Sequence, residues 1–200
     1  MITIEMLKTY KKYLTFVQEK HFNKHFEAQK EYIHCKEGCA ECCTKGEYPV
    51  SELEMAYLMA GFHALDKETQ DIIANKIDQL VKERKETGNR FYECPFLINN
   101  RCSVYENRPI ICRSHGLLFY VLQNGVNRNK IPACSKIGLN YSEVYDEEKQ
   151  IICPEKWKKS GIKTEPVAYN ISREVLISNN ATKDLNLDFG ESKALIDWFM

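Results

Sequence analysis

The stretch Cys35-Lys-Glu-Gly-Cys39-Ala-Glu-Cys42-Cys43 puts four of the chain's nine cysteines into nine residues, two of them adjacent. At roughly 100° per residue, a helix would carry all four within an arc of about 100° on one face. Gly38 interrupts such a helix, and the alternative is a turn that leads into one. Either geometry aims several thiols at one spot. Thiolates that close repel each other unless something cationic sits among them, and a soft metal ion or an iron–sulfur cluster supplies that charge. Any fold for this chain has to complete and shield that spot.

Compartment decides what the cysteines are for. The N-terminus, Met-Ile-Thr-Ile-Glu-Met-Leu-Lys-Thr-Tyr-Lys-Lys, has no sustained apolar region and no small-residue cleavage site. No run approaches the ~20 apolar residues of a membrane span. The expected location is therefore the cytoplasm, where thiols stay reduced and clustered cysteines serve as ligands rather than disulfides. An odd count also argues against a fully paired disulfide framework. With 28 basic and 28 acidic side chains the formal charge is zero. No global field draws in nucleic acid, and no membrane association is expected.

A chain of this length buries roughly 70% of the surface its unfolded form exposes, enough for one core. Residues 3–34 carry few breakers, and Ile4, Leu7, Tyr10, Leu14, Val17 and His21 recur at helical spacing. They predict one long amphipathic helix, or two in sequence. His21 and His25 stand one turn apart, a spacing that can hold zinc, but a Lys-rich polar helix makes them surface residues. Ser51-Glu-Leu-Glu54 is a capping box that opens a helix ending near Gly61 to Ala64. Met55 and Met59 read as core filler in that helix. Asp66 caps the next helix, with Ile72, Ile73, Ile77, Leu80 and Val81 on its inner face and Gly88 at its C-cap.

Beyond Gly88 the pattern shortens. Phe91 to Tyr105 predicts a hairpin with Asn99-Asn100 at its turn, bringing Cys94 and Cys102 together on paired strands. Pro109 opens a helical turn that carries Cys112. Leu117–Leu122 and Val126–Ile131 around Asn124-Gly125 predict a second hairpin, while Cys134 and Cys153 fall in loops. Helices are expected over Tyr169–Ile177 and from about Gly190 to Met200. Strand–helix alternation is missing, which argues against a parallel sheet. The expected fold is mainly α: a single helical domain over 1–200, with one or two short β-hairpins around a cysteine metal or cluster site.

Taken in order the cysteines read C-x3-C-x2-C-C, then C-P-x6-C, then C-R. The pieces CKEGCAECC (35–43) and CPFLINNRCSVYENRPIICR (94–113), with the trailing Cys134, resemble the CxxCxxCC-type cysteine cluster proteins. That family is also called YkgJ-type, and chelation of zinc or iron is ascribed to it. The resemblance covers about residues 35–135, leaving the N-terminal helix 3–34 and the extension 136–200 outside. It implies a metal or cluster site made by Cys35, Cys39, Cys42, Cys43, Cys94, Cys102, Cys112 and, more weakly, Cys134. A relative, the flagellin lysine N-methylase, has the same kind of cluster and is thought to use an iron–sulfur centre. Nothing in this chain identifies a protein substrate or a methyl-donor site, so that activity is not implied.

Residue chemistry bears on which metal. A structural zinc takes four ligands, and this chain has more thiols than one ion needs. Neighbouring side chains such as Cys42 and Cys43 tend to diverge. They are expected to serve two metals or two irons of a cluster, or one ligates while the other packs. An iron–sulfur cluster or iron is thus the expected cofactor, with zinc the alternative. Cys134 and Cys153 either fill the core or complete a second set of four. Arg108 and Arg113 flank Cys112. Their guanidinium groups can donate to thiolates or cluster sulfurs; the other reading pairs Arg108 with Glu106 or a backbone carbonyl to hold the turn. His115 reads as a donor near the site or an exposed histidine rather than a ligand. Tyr105 is expected to pack beneath the site and exclude water. Cys35-x3-Cys39-x2-Cys42 also fits the radical S-adenosylmethionine pattern, but the partial βα barrel of that chemistry needs alternation this chain lacks.

Two functions follow. The first is an iron–sulfur or two-metal thiolate protein in redox or another modification reaction. The alternative is a non-enzymatic zinc-stabilised module that binds a macromolecular partner, a protein rather than a nucleic acid. An open-zinc hydrolase is disfavoured, because there is no His-Glu-x-x-His helix and no evident carboxylate base beside the cysteines.

Overall fold

The computed structural model describes residues 2–36 and 38–200, and about half of them are helical. The N-terminal segment is α1 (Ile4–Val17), a π-turn over Gln18–Phe22, α2 (Asn23–Ala28) and a 3-10 turn over Lys30–Tyr32. It is followed by α3 (Glu41–Thr44), β1 (Pro49–Ser51), α4 (Glu52–His63) and α5 (Lys67–Thr87). Then come β2 (Leu97–Ile98), β3 (Arg101–Cys102), α6 (Ile110–Arg113), β4 (Phe119–Gln123) and β5 (Val126–Lys130). The last part holds β6 (Tyr145–Asp146), β7 (Ile151–Ile152), α7 (Pro154–Ser160), α8 (Arg173–Ile177), α9 (Asn180–Asp184) and β8 (Ser192–Ala194). The ladders are two-stranded and antiparallel. Mainly α with short hairpins is therefore the observed class. No helix among the described residues is long and apolar enough to cross a membrane.

The chain divides into two compact units: Met1–Lys11, Gly38–Cys112 and Lys183–Met200 form one, Lys12–Glu37 and Arg113–Thr182 the other. In the first unit the core is Val50, Met55, Leu58, Ile73, Ile77, Phe96, Val104 and Leu195, with Met59, Cys94 and Cys102 packed against it. Both Met55 and Met59 are thus core filler, as their apolar spacing predicts. α4 opens on the capping box: the Glu54 amide donates to Ser51 Oγ at 3.3 Å, and the Ser51 amide donates to the Glu54 carboxylate at 2.9 Å. α5 opens on Asp66, which accepts from the Thr69 amide at 2.8 Å, and closes at Gly88 with φ of 68°. Ile73 and Ile77 face inward as expected, but Ile72 is exposed. It lies a helical step of about 100° from Ile73, off the narrow inward stripe that α5 presents.

The helix expected from about Gly190 is not formed. β8 pairs with β1 instead (Pro49 opposite Ala194, Ser51 opposite Ser192), and a 3-10 turn over Leu195–Phe199 follows. β1 leaves backbone groups that need partners, and β8 supplies them. The Leu195 amide donates to the Tyr48 carbonyl at 3.2 Å and Trp198 Nε1 to the Val50 carbonyl at 2.9 Å. The apolar stripe at 194, 195, 198 and 199 is still inward-facing at the residues the unit buries, Leu195 among them.

The second unit packs Tyr32, Leu118, Tyr141 and Val144 in its core, with Trp157 and Ile152 against them. β4 and β5 form the predicted hairpin, with Asn124 at φ 53° and Gly125 at φ 75° in the turn. The helix expected over Tyr169–Ile177 is confined to α8, capped by Ser172, because Tyr169 is engaged as an extended residue bridging to Phe119. Cys134 lies in a 3-10 turn and Cys153 at the start of α7, rather than in open loops.

His21 and His25 belong to aromatic contacts. The His25 ring stacks on Tyr169 with centroids 3.6 Å apart, and His21 meets Phe16 edge-on at 5.9 Å. Burial, then the charges of His21 and Lys24, pushes the pKa of His25 from 6.5 down to about 4. The folded state therefore prefers neutral His25, while the unfolded chain takes up the proton near 6.5. This contribution to stability is complete above 6.5 and is lost as the pH falls toward about 4. After solvent screening of a half-exposed ring, its size is on the order of 1 kcal/mol. Urea unfolding at pH 7 and pH 4.5 should show the wild-type protein losing about that much more stability than His25→Gln.

Candidate metal centre

Six of the cysteines named in the sequence fall in the first unit: Cys39, Cys42, Cys43, Cys94, Cys102 and Cys112. The nonapeptide resolves as the turn-then-helix alternative. Gly38 sits at φ 83°, a left-handed conformation that ends any helix across Cys35 to Cys43, and α3 then carries Cys42 and Cys43. The Cys43 amide donates to the Ala40 carbonyl at 2.7 Å, closing the turn after Cys39. The Cys94 amide donates to the Cys43 carbonyl at 2.8 Å, tying the second cysteine segment to the first.

The hairpin brings in the next pair. Asn99 and Asn100 adopt φ of 50° and 58°, as a tight primed turn requires, and Leu97 stands opposite Cys102. Cys94 lies just ahead of β2 rather than on it, with its carbonyl accepting from the Leu97 amide at 3.0 Å. The Ser103 amide and hydroxyl both donate to the Phe96 carbonyl, at 2.9 and 2.8 Å, so the base of the hairpin is closed.

α6 supplies Cys112, and α4 determines where α6 starts. Asn107 Nδ2 donates to the Tyr57 carbonyl at 2.9 Å, and the Ile110 amide donates to Glu54 Oε1 at 3.0 Å. Glu54, Tyr57 and Gly61 share one face of α4 at i, i+3 and i+7. A Cβ on Gly61 would come within 2.6 Å of Asn107 Cγ, so this glycine is what lets the 105–107 turn lie against α4. Glu54 is fully buried. The sequence announces it as half of a capping box; its second oxygen, reaching a residue 56 positions away, is a tertiary feature with no local signal.

Several thiols of the first unit act on one another electrostatically. Cys42 and Cys43 have their sulfurs 3.8 Å apart. They converge where divergence was expected. The hydrogen bond to Cys43, then burial, pushes the Cys42 thiol up. Burial and then Cys102 push Cys94 up to about 12. Burial, then Cys94 and Cys102, raises Cys112. Two cations and two backbone amides oppose these effects: a backbone amide and then Arg108 act on Cys42, Arg108 on Cys112, and the Phe96 amide and Lys76 on Cys94. The Cys42, Cys94 and Cys112 thiols stay protonated at neutral pH unless a metal replaces the proton. Among the described residues no three or more His, Cys, Asp or Glu side chains are set to hold a metal ion.

Tyr105 does not lie beneath the site. It is 56% exposed, with the Arg108 guanidinium 3.4 Å over its ring. Arg108 Nε donates to the Tyr105 carbonyl at 2.9 Å, so the turn-holding role is present, alongside the action of its charge on Cys42 and Cys112. The tyrosine among the cysteines is Tyr48. Its hydroxyl donates to the Cys42 carbonyl at 2.7 Å, and burial followed by Cys42, Cys112, Cys43 and Cys94 raises its pKa. Its place five residues past Cys43, ahead of a capping box, was the available signal.

The remaining named residues lie in the second unit. Cys35 accepts a hydrogen bond from Asn140 Nδ2 at 3.2 Å. Asn140 is fully buried, donates also to the Gly116 carbonyl at 2.9 Å, and accepts from the His34 amide at 2.7 Å. It lies past the last motif cysteine, which is why motif reading passes over it. Cys134 and His115 are half-buried and Arg113 is buried. Cys153 is buried and donates to Glu155 at 3.1 Å.

A family model, CxxCxxCC, described as a putative zinc- or iron-chelating domain, matches residues 34–136, just over half of the chain. The chain belongs to the CxxCxxCC family. The match takes in the nonapeptide, the hairpin and α6, so the segments tied together above are the family's own. Metal binding by a cysteine cluster is accordingly the general property of this CxxCxxCC chain. No curated protein and no solved structure matches it.

Proposed function

We propose that Cys42, Cys43, Cys94, Cys102 and Cys112, with Cys39 one turn ahead of Cys43, hold an iron–sulfur or two-metal thiolate centre. The carrying observation is that both cysteine segments of the family match are joined in the first unit: the Cys42 and Cys43 sulfurs are 3.8 Å apart and the Cys94 amide donates to the Cys43 carbonyl, and the five thiols on these segments exceed the four ligands that one zinc takes. An iron–sulfur cluster bound there would supply one-electron redox chemistry. The chain's own groups contribute the rest. Arg108 offsets the negative charge that Cys42 and Cys112 acquire on losing their protons. Tyr48 holds the Cys42 carbonyl, and the packing of Phe96 and Val104 shields Cys94 and Cys102 from water. Closing the ligand set would require these thiols to converge further than they do in the structure. Cys35 and Cys134 remain ligands by the family resemblance alone, and this centre is argued from the first unit's thiols. Free cysteines in this number fit a reducing compartment such as the cytoplasm.

Protein purified without oxygen should contain iron and acid-labile sulfide in similar amounts and absorb in the visible. Colourless, fully folded protein with stoichiometric zinc and no iron would overturn the cluster. It would support the second reading, a zinc-stabilised module that binds a protein partner. The Cys42–Cys43 separation of 3.8 Å fits that reading equally, since zinc–sulfur bonds of about 2.3 Å at tetrahedral angles put two sulfurs about 3.8 Å apart. In that case chelation should unfold the first unit.

A further inference from the structure

We propose that Glu54 is the positioning residue for Cys112: its carboxylate fixes the start of α6 and so the place at which that thiol meets the metal centre. The inference rests on Cys112 being a ligand, as proposed above. Glu54 has no exposed surface, yet carries a carboxyl group. Burying such a group is costly unless its oxygens are filled. Oε2 accepts from the Ser51 amide at 2.9 Å and from Ser51 Oγ at 2.8 Å, while Oε1 accepts from the Ile110 amide at 3.0 Å.

The two oxygens do different work. Oε2 serves the capping box, a role that glutamine fills as well as glutamate. Oε1 serves Ile110, at the first turn of a four-residue helix too short to hold itself in place. Pro109 has no amide to offer, so the Ile110 amide is the first donor of that turn, and the Cys112 amide closes it by donating to the Pro109 carbonyl at 3.1 Å. A glutamine at 54 that keeps its oxygen on Ser51 must aim its NH2 at the Ile110 amide, donor against donor. Glutamine at 54 thus bears on the Ile110 contact while its oxygen stays on Ser51.

The test is cobalt(II) titration of metal-free protein, read by sulfur-to-cobalt charge-transfer absorption, with thermal melting of the same samples. Glu54→Gln should weaken cobalt binding about ten- to a hundredfold and lower the charge-transfer intensity per bound cobalt, because one thiolate is misplaced. Ser51→Ala should lower the melting temperature and leave the cobalt spectrum of the wild type intact. Should Glu54→Gln fail to fold, an amide-to-ester replacement at the Pro109–Ile110 bond removes the same donor with the carboxylate in place, and the same spectral loss is expected. Wild-type affinity and spectrum in either of these two proteins would overturn the proposal alone. Failure of the wild-type protein to bind cobalt would remove the metal centre itself, and this proposal with it.

Discussion

Serine at both 42 and 43 is expected to bring metal content close to zero. The two sulfurs are 3.8 Å apart, about the separation that two thiolates adopt on one tetrahedral ion. In a two-iron cluster each iron likewise takes two cysteines, so the pair behaves as one bite in either case. Hydroxyls replace the thiols in volume but are poor ligands for a soft metal. The contacts that hold this segment run through backbone atoms: the Cys43 carbonyl accepts from the Cys94 amide, and the Cys42 carbonyl accepts from the Tyr48 hydroxyl. Both survive the substitutions. Elemental analysis of the two single variants adds a second reading. With both sulfurs on one ion, either single variant should lose most of what the double variant loses. If each single variant instead kept half of the metal, Cys42 and Cys43 would serve different ions, and the shared bite would be wrong.

The legible parts of the sequence are those in which a residue type solves a local problem. Asn99-Asn100 reads as a primed turn because few residues other than asparagine and glycine tolerate two positive φ angles in succession, and both are observed there. Ser51-x-x-Glu54 and Asp66 read as caps because they satisfy amide groups within a few residues of themselves. The parts that were not legible are set by distant backbone. The stripe at 194, 195, 198 and 199 suits a helix or a 3-10 turn equally, and only the exposed edge of β1, more than 140 positions earlier, turns 192–194 into a strand. Tyr105 and Tyr48 are both aromatic residues near cysteines in sequence, and it is the packing that puts Tyr48 among the thiols and leaves Tyr105 under Arg108. At the candidate centre the same division holds. The spacing of the cysteines proposes the donors, whereas Glu54, which bonds to the segment bearing Cys112, and Asn140 in the other unit, which bonds to Cys35, are found through tertiary hydrogen bonds alone.

Alanine at Gly116 is expected to destabilise the second unit severely, by about 3–5 kcal/mol from overpacking and left-handed backbone strain together. Gly116 sits at φ 94°, where a Cβ is strained before any neighbour is considered. The added Cβ would stand 2.6 Å from Asn140 Nδ2 and 3.2 Å from Cys35 Sγ. Whether such a contact is tolerated depends on the neighbour's freedom to move, and Asn140 has none. Its amide group donates to the Gly116 carbonyl and to Cys35, its oxygen accepts from the His34 amide, and the side chain is fully buried. Moving it would break bonds at both ends and leave the His34 amide and the Gly116 carbonyl unsatisfied. Urea unfolding measures the loss. A double-mutant cycle separates its two sources: Asn140→Ala removes the atom that the new Cβ meets, so the pair of substitutions should cost less than the sum of the single ones. Full additivity would mean that the clash is absorbed elsewhere and that backbone strain alone accounts for the effect. Because Asn140 also holds Cys35, both single variants should change the rate at which a thiol reagent labels that exposed cysteine, a change that strain confined to the Gly116 backbone would not produce in Asn140→Ala.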